Sequence, residues 1–151
     1  MYIFKNYILY ISELFMERDD YTDEKIRQIL TLKKVVVIGM SKDSSKAAHY
    51  VPKYLIDNGF DITPVNPTSS KILGKTCYDS VSEIDDEIEI IDIFRPSEQV
   101  LQFVKEAILK KPKVIWLQEG IHNFEAEELA RKEGIMVVFN RCMLAEHRRL
   151  Y

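Results

Sequence analysis

One short segment combines a glycine with hydroxyl and ammonium side chains in a pattern suited to phosphate. Gly39 ends an apolar run, and Ser41 and Lys42 follow it within three positions. Glycine lets the backbone turn sharply, and free N–H groups at a helix start favour phosphate. An ordinary capped turn between a strand and a helix would have a similar composition, so this segment alone leaves both interpretations open. Further hydroxyls and positive charge follow at Ser44, Ser45 and Lys46.

The segment matches neither common glycine-rich nucleotide motif. It lacks both G-x-G-x-x-G and G-x-x-x-x-G-K-[ST]. A nicotinamide site usually also has an acidic residue where the second strand ends, which holds the ribose hydroxyls. Here Val65, Asn66 and Pro67 occupy that position. The sequence therefore favours a nucleotide-like ligand and disfavours a nicotinamide dinucleotide.

Apolar runs rich in β-branched residues alternate with helical patterns along the rest of the chain. Strands are expected at 34–39, 61–65, 88–94, 113–117 and 135–139, and helices at 45–58, 97–110, 123–133 and 143–150. Another helix is expected to begin after Thr22, and Ser97 is expected to cap the helix that follows it. Apolar strands alternating with helices predict a parallel sheet covered on both faces. The fold class is therefore α/β, a Rossmann-like doubly wound parallel sheet of about five strands.

In such a sheet, ligands bind beyond the carboxyl ends of the strands. The residues expected there are mostly small, polar or cationic, and we expect a binding site along this edge. They are Gly39, Met40, Ser41 and Lys42 after the first strand, Val65, Asn66 and Pro67 at the second, Phe94, Arg95 and Ser97 at the third, Gln118, Glu119 and Gly120 after the fourth, and Asn140, Arg141 and Cys142 after the fifth.

Six short motifs occur in an order that resembles the small single-domain CoA-binding proteins. That family in turn resembles the CoA-binding domain of succinyl-CoA synthetase alpha subunits and of NDP-forming acyl-CoA synthetases. The resemblance covers residues 22–151, and the ordered set is more specific than any one motif. The motifs are Gly39-Met-Ser41, Pro64-Val-Asn66-Pro67, Leu73-Gly-Lys-Thr-Cys77-Tyr78, Asp92-Ile-Phe-Arg95-Pro96, Trp116-Leu-Gln118-Glu-Gly120 and Asn140-Arg141-Cys142.

The resemblance implies that the ligand is coenzyme A or an acyl-CoA. CoA carries three phosphate groups, which call for N–H donors and cations, and an amide arm, which calls for backbone-lined grooves. The resemblance implies that residues 39–42 cradle the phosphates, that Val65, Asn66 and Pro67 border the adenosine, and that Phe94, Arg95 and Ser97 line the next edge. It further implies that Arg95 pairs a phosphate, that Gln118, Glu119 and Gly120 approach the pantetheine arm, and that Asn140 lies near the thiol.

The synthetases of the resemblance need parts that this sequence does not contain. They use a phosphorylated histidine from another domain and a nucleotide-grasp subunit, whereas His49, His122 and His147 stand in no phosphoryl-transfer motif. We therefore expect a binding module without catalysis of its own, or a subunit that completes a larger synthetase. The alternative is a nucleotide-dependent oxidoreductase or a CoA-linked redox protein that acts through Cys142, whose pKa a helix start and Arg141 could lower.

Three further features have simpler interpretations. Asp92 lies within an apolar strand, so its carboxyl must be hydrogen-bonded or its pKa would rise. Trp116 is expected in the core, and the charged residues 146–149 are expected to form a solvated helix face.

Composition excludes several classes of partner. The chain has 151 residues, of which 24 are acidic and 21 basic, for a net charge of −3. This balance argues against a nucleic-acid or anionic-membrane partner. Two cysteines cannot form a disulfide framework and suit a reducing cytoplasm, and no apolar stretch approaches the length of a spanning helix. We expect a cytoplasmic monomer or small homo-oligomer.

Residues 1–21 differ from the rest and are predicted to be an N-terminal extension to a domain at 22–151. Apolar and aromatic residues crowd this segment, but their helical periodicity is poor. The segment could pack on the domain, mediate self-association or fray. A further alternative is that the native start is Met16.

Overall fold

The structure is a computed structural model that describes residues 18–151. The alternatives for the first seventeen residues therefore lie outside the described part, and the division of the chain at residue 22 stays a prediction. Among the described residues, no helix is long and apolar enough to cross a membrane. The strands are β1 (Lys34–Ile38), β2 (Asp61–Val65), β3 (Lys71–Ile72), β4 (Lys75–Thr76), β5 (Ile90–Ile93), β6 (Val114–Leu117) and β7 (Met136–Val138). The helices are α1 (Asp23–Leu30), α2 (Ala47–Asp57), α3 (Val100–Ile108), α4 (Phe124–Lys132) and α5 (Met143–Leu150).

Five parallel strands form the main sheet in the order β2-β1-β5-β6-β7, and β3 and β4 form a separate small hairpin. The chain builds outward from β1 to β2, then returns to the other side of β1 to begin β5. The loops after β1 and β5 therefore diverge to opposite faces and leave a crevice between them. The predicted α/β class and the Rossmann-like doubly wound sheet are confirmed.

Alternate residues of each strand enter two apolar layers. Val35 and Val37 pack with residues of α1, α2 and α5. Val36 and Ile38 pack with residues of α3 and α4 on the opposite face. Helices cover both faces of the sheet, which explains why the strands are apolar at nearly every position.

Gly39 occupies the tightest position of the sheet's carboxyl edge. Its N–H continues the ladder by donating to the Val65 carbonyl at 3.0 Å, while Phe94 N–H donates to the Ile38 carbonyl at 2.9 Å. Gly39 has a φ of +83°, and a Cβ there would lie 2.3 Å from the Phe94 carbonyl oxygen. A side chain at this position would push the ends of β1 and β5 apart.

The second helix begins two residues later than predicted, and Pro52 lies inside it. Residue 52 would normally donate to the carbonyl of Ala48, but proline has no N–H. The Ser41 N–H donates to that carbonyl instead, at 3.0 Å. Pro52 therefore leaves a carbonyl for the loop after β1, and this bond ties the loop to the first turn of α2.

Ser97 does not cap a long helix as predicted. It begins a short 3₁₀ turn, Ser97–Gln99, and α3 starts only at Val100. The Ser97 hydroxyl accepts from His122 N–H at 3.1 Å, and its carbonyl accepts from Asn123 Nδ2 at 3.0 Å. Ser97 thus joins the loops after β5 and β6. Thr22, by contrast, caps α1 as predicted, by accepting from Lys25 N–H at 3.2 Å.

The prediction of a solvated face at residues 146–149 is confirmed for Arg148 and Arg149, which are exposed, and is wrong for Glu146. Glu146 is buried beside Arg141, and Arg149 donates to it at 2.6 Å. The Arg141 guanidinium also donates to both carboxylate oxygens of Asp19, at 2.7 and 3.0 Å. This ion-pair network fastens the segment before α1 to the start of α5, and it needs buried side chains that a helical charge pattern does not reveal.

Asp92 is fully buried in β5, and its carboxyl has one side-chain hydrogen-bond partner among the described residues. Gln118 Nε2 donates to its Oδ1 at 2.7 Å, and its Oδ2 has no partner there. Burial raises the pKa of Asp92 to about 8, against the smaller opposing effect of the Gln118 bond. Trp116 is buried as expected, and its indole N–H donates to the Arg141 carbonyl at 2.7 Å.

Gly39→Ala is expected to destabilise the fold by roughly 2–4 kcal/mol, because it adds backbone strain to a clash with the Phe94 carbonyl. The matched control is Gly134→Ala, where φ is +76° and a Cβ meets nothing within 4 Å. That control should lose only about 1 kcal/mol, from the strain alone. Urea unfolding of both variants measures the difference, and equal losses would show that the close approach costs nothing.

Asp92 is expected to contribute a loss of stability as the pH rises from about 4 to about 8, because its pKa is raised in the folded protein. In that window the folded state holds a proton that the unfolded state has released, so the slope is about 1.4 kcal/mol per pH unit for this group. Asp92→Asn should remove that slope. Unfolding curves of both proteins at several pH values give the comparison, and parallel pH profiles would contradict the expectation.

Candidate functional site

A cavity of about 560 Å³ lies over the crevice between the ends of β1, β2 and β5. Its volume is within the range of small-molecule sites. Eight predicted site residues line it: Gly39, Met40, Ser41, Val65, Asn66, Pro67, Phe94 and Arg95. Six further lining residues were not among the predicted site residues: Ile38, Lys46, Ala48, Thr68, Asp79 and Phe103. The cavity thus lies on the edge of the sheet where the alternation of strands and helices predicts a site, and tertiary packing adds the remaining walls.

The loop after β1 is held in place by its own polar groups. The Ser41 N–H donates to Ala48, and the Ser41 hydroxyl accepts from Asp43 N–H at 3.0 Å. His49 Nδ1 lies 2.7 Å from the Ser41 carbonyl oxygen. Because these groups are engaged, the loop is preformed. The group that Ser41 still offers a ligand is its hydroxyl, which can donate its proton.

The two lysines of this loop have different positions. Lys46 lines the cavity and immediately precedes α2, whose first turn has no side-chain cap. Lys42 is exposed and lies outside the cavity lining. The start of α2 therefore combines uncapped N–H groups with an ammonium group, both of which favour an anion.

Asn66 joins the loops after β1 and β2. Its Nδ2 donates to the Met40 carbonyl at 2.8 Å. Its Oδ1 accepts from both the N–H and the hydroxyl of Thr68, at 2.8 and 2.7 Å. Asn66 borders the cavity, but its side chain is used to hold the cavity wall.

Arg95 supplies the second cation of the cavity. Its Nη2 donates to Gln99 Oε1 at 2.7 Å, and its guanidinium lies 5.6 Å from the Phe103 ring centre. Its Nε is buried and has no partner among the described residues. The guanidinium is thus positioned by α3 and keeps donors that suit a phosphate.

An acidic residue does reach the end of β2, contrary to the expectation from residues 65–67. Tyr78 pairs with Val65 as an isolated bridge: its carbonyl accepts from Asn66 N–H at 2.9 Å, and its N–H donates to Pro64 at 3.0 Å. This pairing brings Asp79 to the cavity. The connection after β4 supplies the acid, so no local motif at the end of β2 could have shown it.

The remaining predicted site residues lie outside the cavity, and two of them bond to each other. Gln118 binds Asp92, and Gly120 N–H donates to Asn140 Oδ1 at 2.8 Å. Glu119 is exposed, and Ser97 joins two loops as described. These residues follow the neighbouring strands of the same edge, beyond the wall formed by Phe94.

Cys142 does not have the properties of a reactive thiol. Burial raises its pKa, and the backbone hydrogen bonds from Ala145 and Leu144 only partly oppose this. A thiol with a raised pKa is mostly protonated at neutral pH, which removes the basis for the redox alternative. Within residues 18–151, no group of His, Cys, Asp or Glu side chains is arranged to hold a metal ion.

His122 and His147 pack against aromatic side chains. His147 bonds to the Tyr54 hydroxyl at 2.9 Å and stacks on Tyr151. His122 Nδ1 lies 2.7 Å from Glu127 Oε2, and its ring packs against Phe139.

Comparison with known proteins identifies relatives along nearly the whole described chain. The chain is 35% identical over 124 residues to the uncharacterized protein YneT of Bacillus subtilis, and the match covers 82% of this chain and 92% of that protein. It is 35% identical over 133 residues to the ADP-forming acetate–CoA ligase II of Archaeoglobus fulgidus, covering 80% of this chain and 20% of the ligase. A solved hypothetical protein from Pyrococcus horikoshii OT3 shares 43% identity, with a TM-score of 0.84 over 87% of this chain and 93% of its own.

The matched region contains the whole candidate site. The chain spans about a fifth of the length of the ligase, whereas it matches the small relatives almost end to end. The family model described as a CoA binding domain matches residues 33–148, which include all five strands of the main sheet and every residue that lines the cavity. The resemblance inferred from the six motifs is thereby confirmed, and the chain belongs to the CoA binding domain family.

Proposed function

We propose that this chain binds coenzyme A or an acyl-CoA through the loops at the carboxyl ends of its strands, without catalysis of its own. The observation that carries the proposal is the cavity at the point where the strand order reverses, in a chain of this family. Ligands of doubly wound sheets bind at that point. The residues present also fit the ligand, because Lys46 and Arg95 flank a cavity with apolar and polar walls.

The nucleotide half of CoA suits this cavity. Lys46 and the uncapped start of α2 can hold one side of the diphosphate, and the Arg95 guanidinium can hold the other. Gly39 lies between them and has no side chain, so nothing protrudes into the cavity at this position. Ionised phosphate and guanidinium form strong, geometrically specific hydrogen bonds, so Arg95 is the residue on which we expect affinity to depend most.

The pantetheine arm would run along the same edge, past Phe94 toward the ends of β6 and β7. The backbone of residues 118–120 and the Asn140 region lie along that course, as their position after those strands requires. The arm needs amide partners and an apolar groove rather than charge. Contacts of the arm with Gln118, Glu119, Gly120 and Asn140 remain predictions.

The lining of the cavity supports a binding role rather than a catalytic one. None of the described residues that line it is a histidine or a cysteine. The hydroxyl of its serine, Ser41, accepts from the Asp43 N–H, and His49 Nδ1 contacts the Ser41 carbonyl rather than this hydroxyl. A nucleophile normally needs a base within hydrogen-bond reach. A chain that holds CoA in this way could also serve as the CoA-binding part of a larger synthetase, as the match to one region of the acetate–CoA ligase suggests.

CoA and acetyl-CoA are expected to raise the melting temperature of the protein more than NAD or NADP does, because the chain belongs to the CoA binding domain family. A ligand present at 100 times its Kd stabilises the folded state by about 2.7 kcal/mol. A thermal-shift series with the four ligands at equal concentration measures this. Stabilisation by NAD or NADP but not by CoA would contradict the proposal.

Arg95→Ala is expected to weaken CoA binding by about 1.5–3 kcal/mol, because it removes a charged hydrogen bond to phosphate. The control is Arg131→Ala, which removes a half-exposed arginine of α4 that pairs with Glu128, away from the cavity. Calorimetric titration of both variants with CoA gives the two affinities. Unchanged affinity in Arg95→Ala would remove this residue from the binding site.

A further inference from the structure

The end of β2 presents a carboxylate to the ligand, and we name this part of the cavity the β2 corner. It is lined by Val65, Asn66, Pro67, Thr68 and Asp79. Asp79 is exposed and is brought there by the backbone of Tyr78, which bonds to Pro64 and Asn66 on the end of β2. The position of the acid is therefore set by sheet pairing rather than by a free loop.

The other polar side chains of the β2 corner are already satisfied. Asn66 donates to the Met40 carbonyl and accepts two bonds from Thr68. Thr68 uses both its N–H and its hydroxyl in that arrangement. Among the described residues of this corner, Asp79 is thus the ionisable side chain that a bound nucleotide would meet.

The cations of the cavity lie on other elements. Lys46 precedes α2, and Arg95 follows β5, where Gln99 and Phe103 hold its guanidinium. Lys42, which is next in sequence to the loop, is outside the lining. The cavity therefore has cations at the ends of β1 and β5 that suit a diphosphate, and a β2 corner that suits a hydrogen-bond donor.

We propose that Asp79 is a specificity residue that favours an adenine nucleotide with an unphosphorylated ribose. In Rossmann-like sheets, a carboxylate near the end of β2 accepts from the ribose 2′-hydroxyl, whereas an arginine accommodates a 2′-phosphate. We extend this rule of charge to the neighbouring 3′ position, where CoA carries its ribose phosphate. The ligand class that fits best is therefore one with a free 3′-hydroxyl, such as dephospho-CoA, which should bind at least as tightly as CoA. This inference rests on the proposed function, because it concerns the same cavity and the same nucleotide.

The physical reason is the sign of the charge at this corner. A phosphate monoester carries about −1.5 to −2 charges at neutral pH. Placing it beside a carboxylate at a partly enclosed surface opposes binding, since like charges across an interface are unfavourable. A hydroxyl at the same place donates to the carboxylate and gains a charge-assisted hydrogen bond.

Calorimetric titration of the full chain with CoA and with dephospho-CoA tests the inference. In the unaltered protein, the Kd for dephospho-CoA should equal or fall below that for CoA. Asp79→Asn should tighten CoA by about three- to tenfold and should not tighten dephospho-CoA. The matched control is Asp85→Asn, an exposed carboxylate between Ile84 and Asp86, which line a different cavity at the amino edge of the sheet. That control should leave the ratio of the two Kd values unchanged.

The outcomes separate this inference from the function on which it rests. A preference of the unaltered protein for CoA of about tenfold or more would overturn the role of Asp79 and leave CoA binding intact. The same holds if Asp79→Asn leaves the ratio unchanged or shifts both Kd values by one factor. Failure of the unaltered protein to bind either compound would instead overturn the proposed function.

Discussion

The close approach of two backbones at the end of β1 is the constraint on which the rest of the carboxyl edge depends. Gly39 bonds to β2 through its N–H and lies so near the Phe94 carbonyl that a Cβ has no room. Because the strand order reverses at β1, the loops after β1 and β5 diverge to opposite faces of the sheet, and the cavity lies over the crevice between them. The missing side chain of Gly39 lets the ends of β1 and β5 stay in contact beside this crevice.

The walls of that cavity are preformed by polar bonds between loops rather than by apolar packing alone. Pro52 frees a carbonyl of α2, the Ser41 N–H takes it, and Asn66 ties the same loop to the end of β2. Arg95 is held by Gln99 in a similar way. A site whose loops are already ordered loses less conformational entropy when it binds. The same bonds use up several groups that the sequence suggested would contact phosphate directly.

Predictions from the sequence succeeded where one local pattern carries the information. The apolar run from Val35 to Ile38 predicts a buried strand, and its repeated alternation with helices predicts a parallel sheet. The sequence alone therefore located the carboxyl edge of that sheet. Predictions failed where distant residues meet. Glu146 looks exposed from its helical charge pattern, yet Arg141 and Arg149 bury it. Ser97 looks like a helix cap, yet its hydroxyl serves the loop after β6.

The sequence by itself determined the fold class, the family and the position of the carboxyl edge where the cavity lies, because periodicity and ordered motifs are local properties of the chain. Only the tertiary structure decided which side chains face the cavity and what each still offers a ligand. Asp79 illustrates the reason: it lies thirteen residues after Asn66, and the pairing of Tyr78 with Val65 brings it to the same corner. Pairing between distant segments depends on the packing of the whole domain, and so do the charge and hydrogen-bonding capacity of the site.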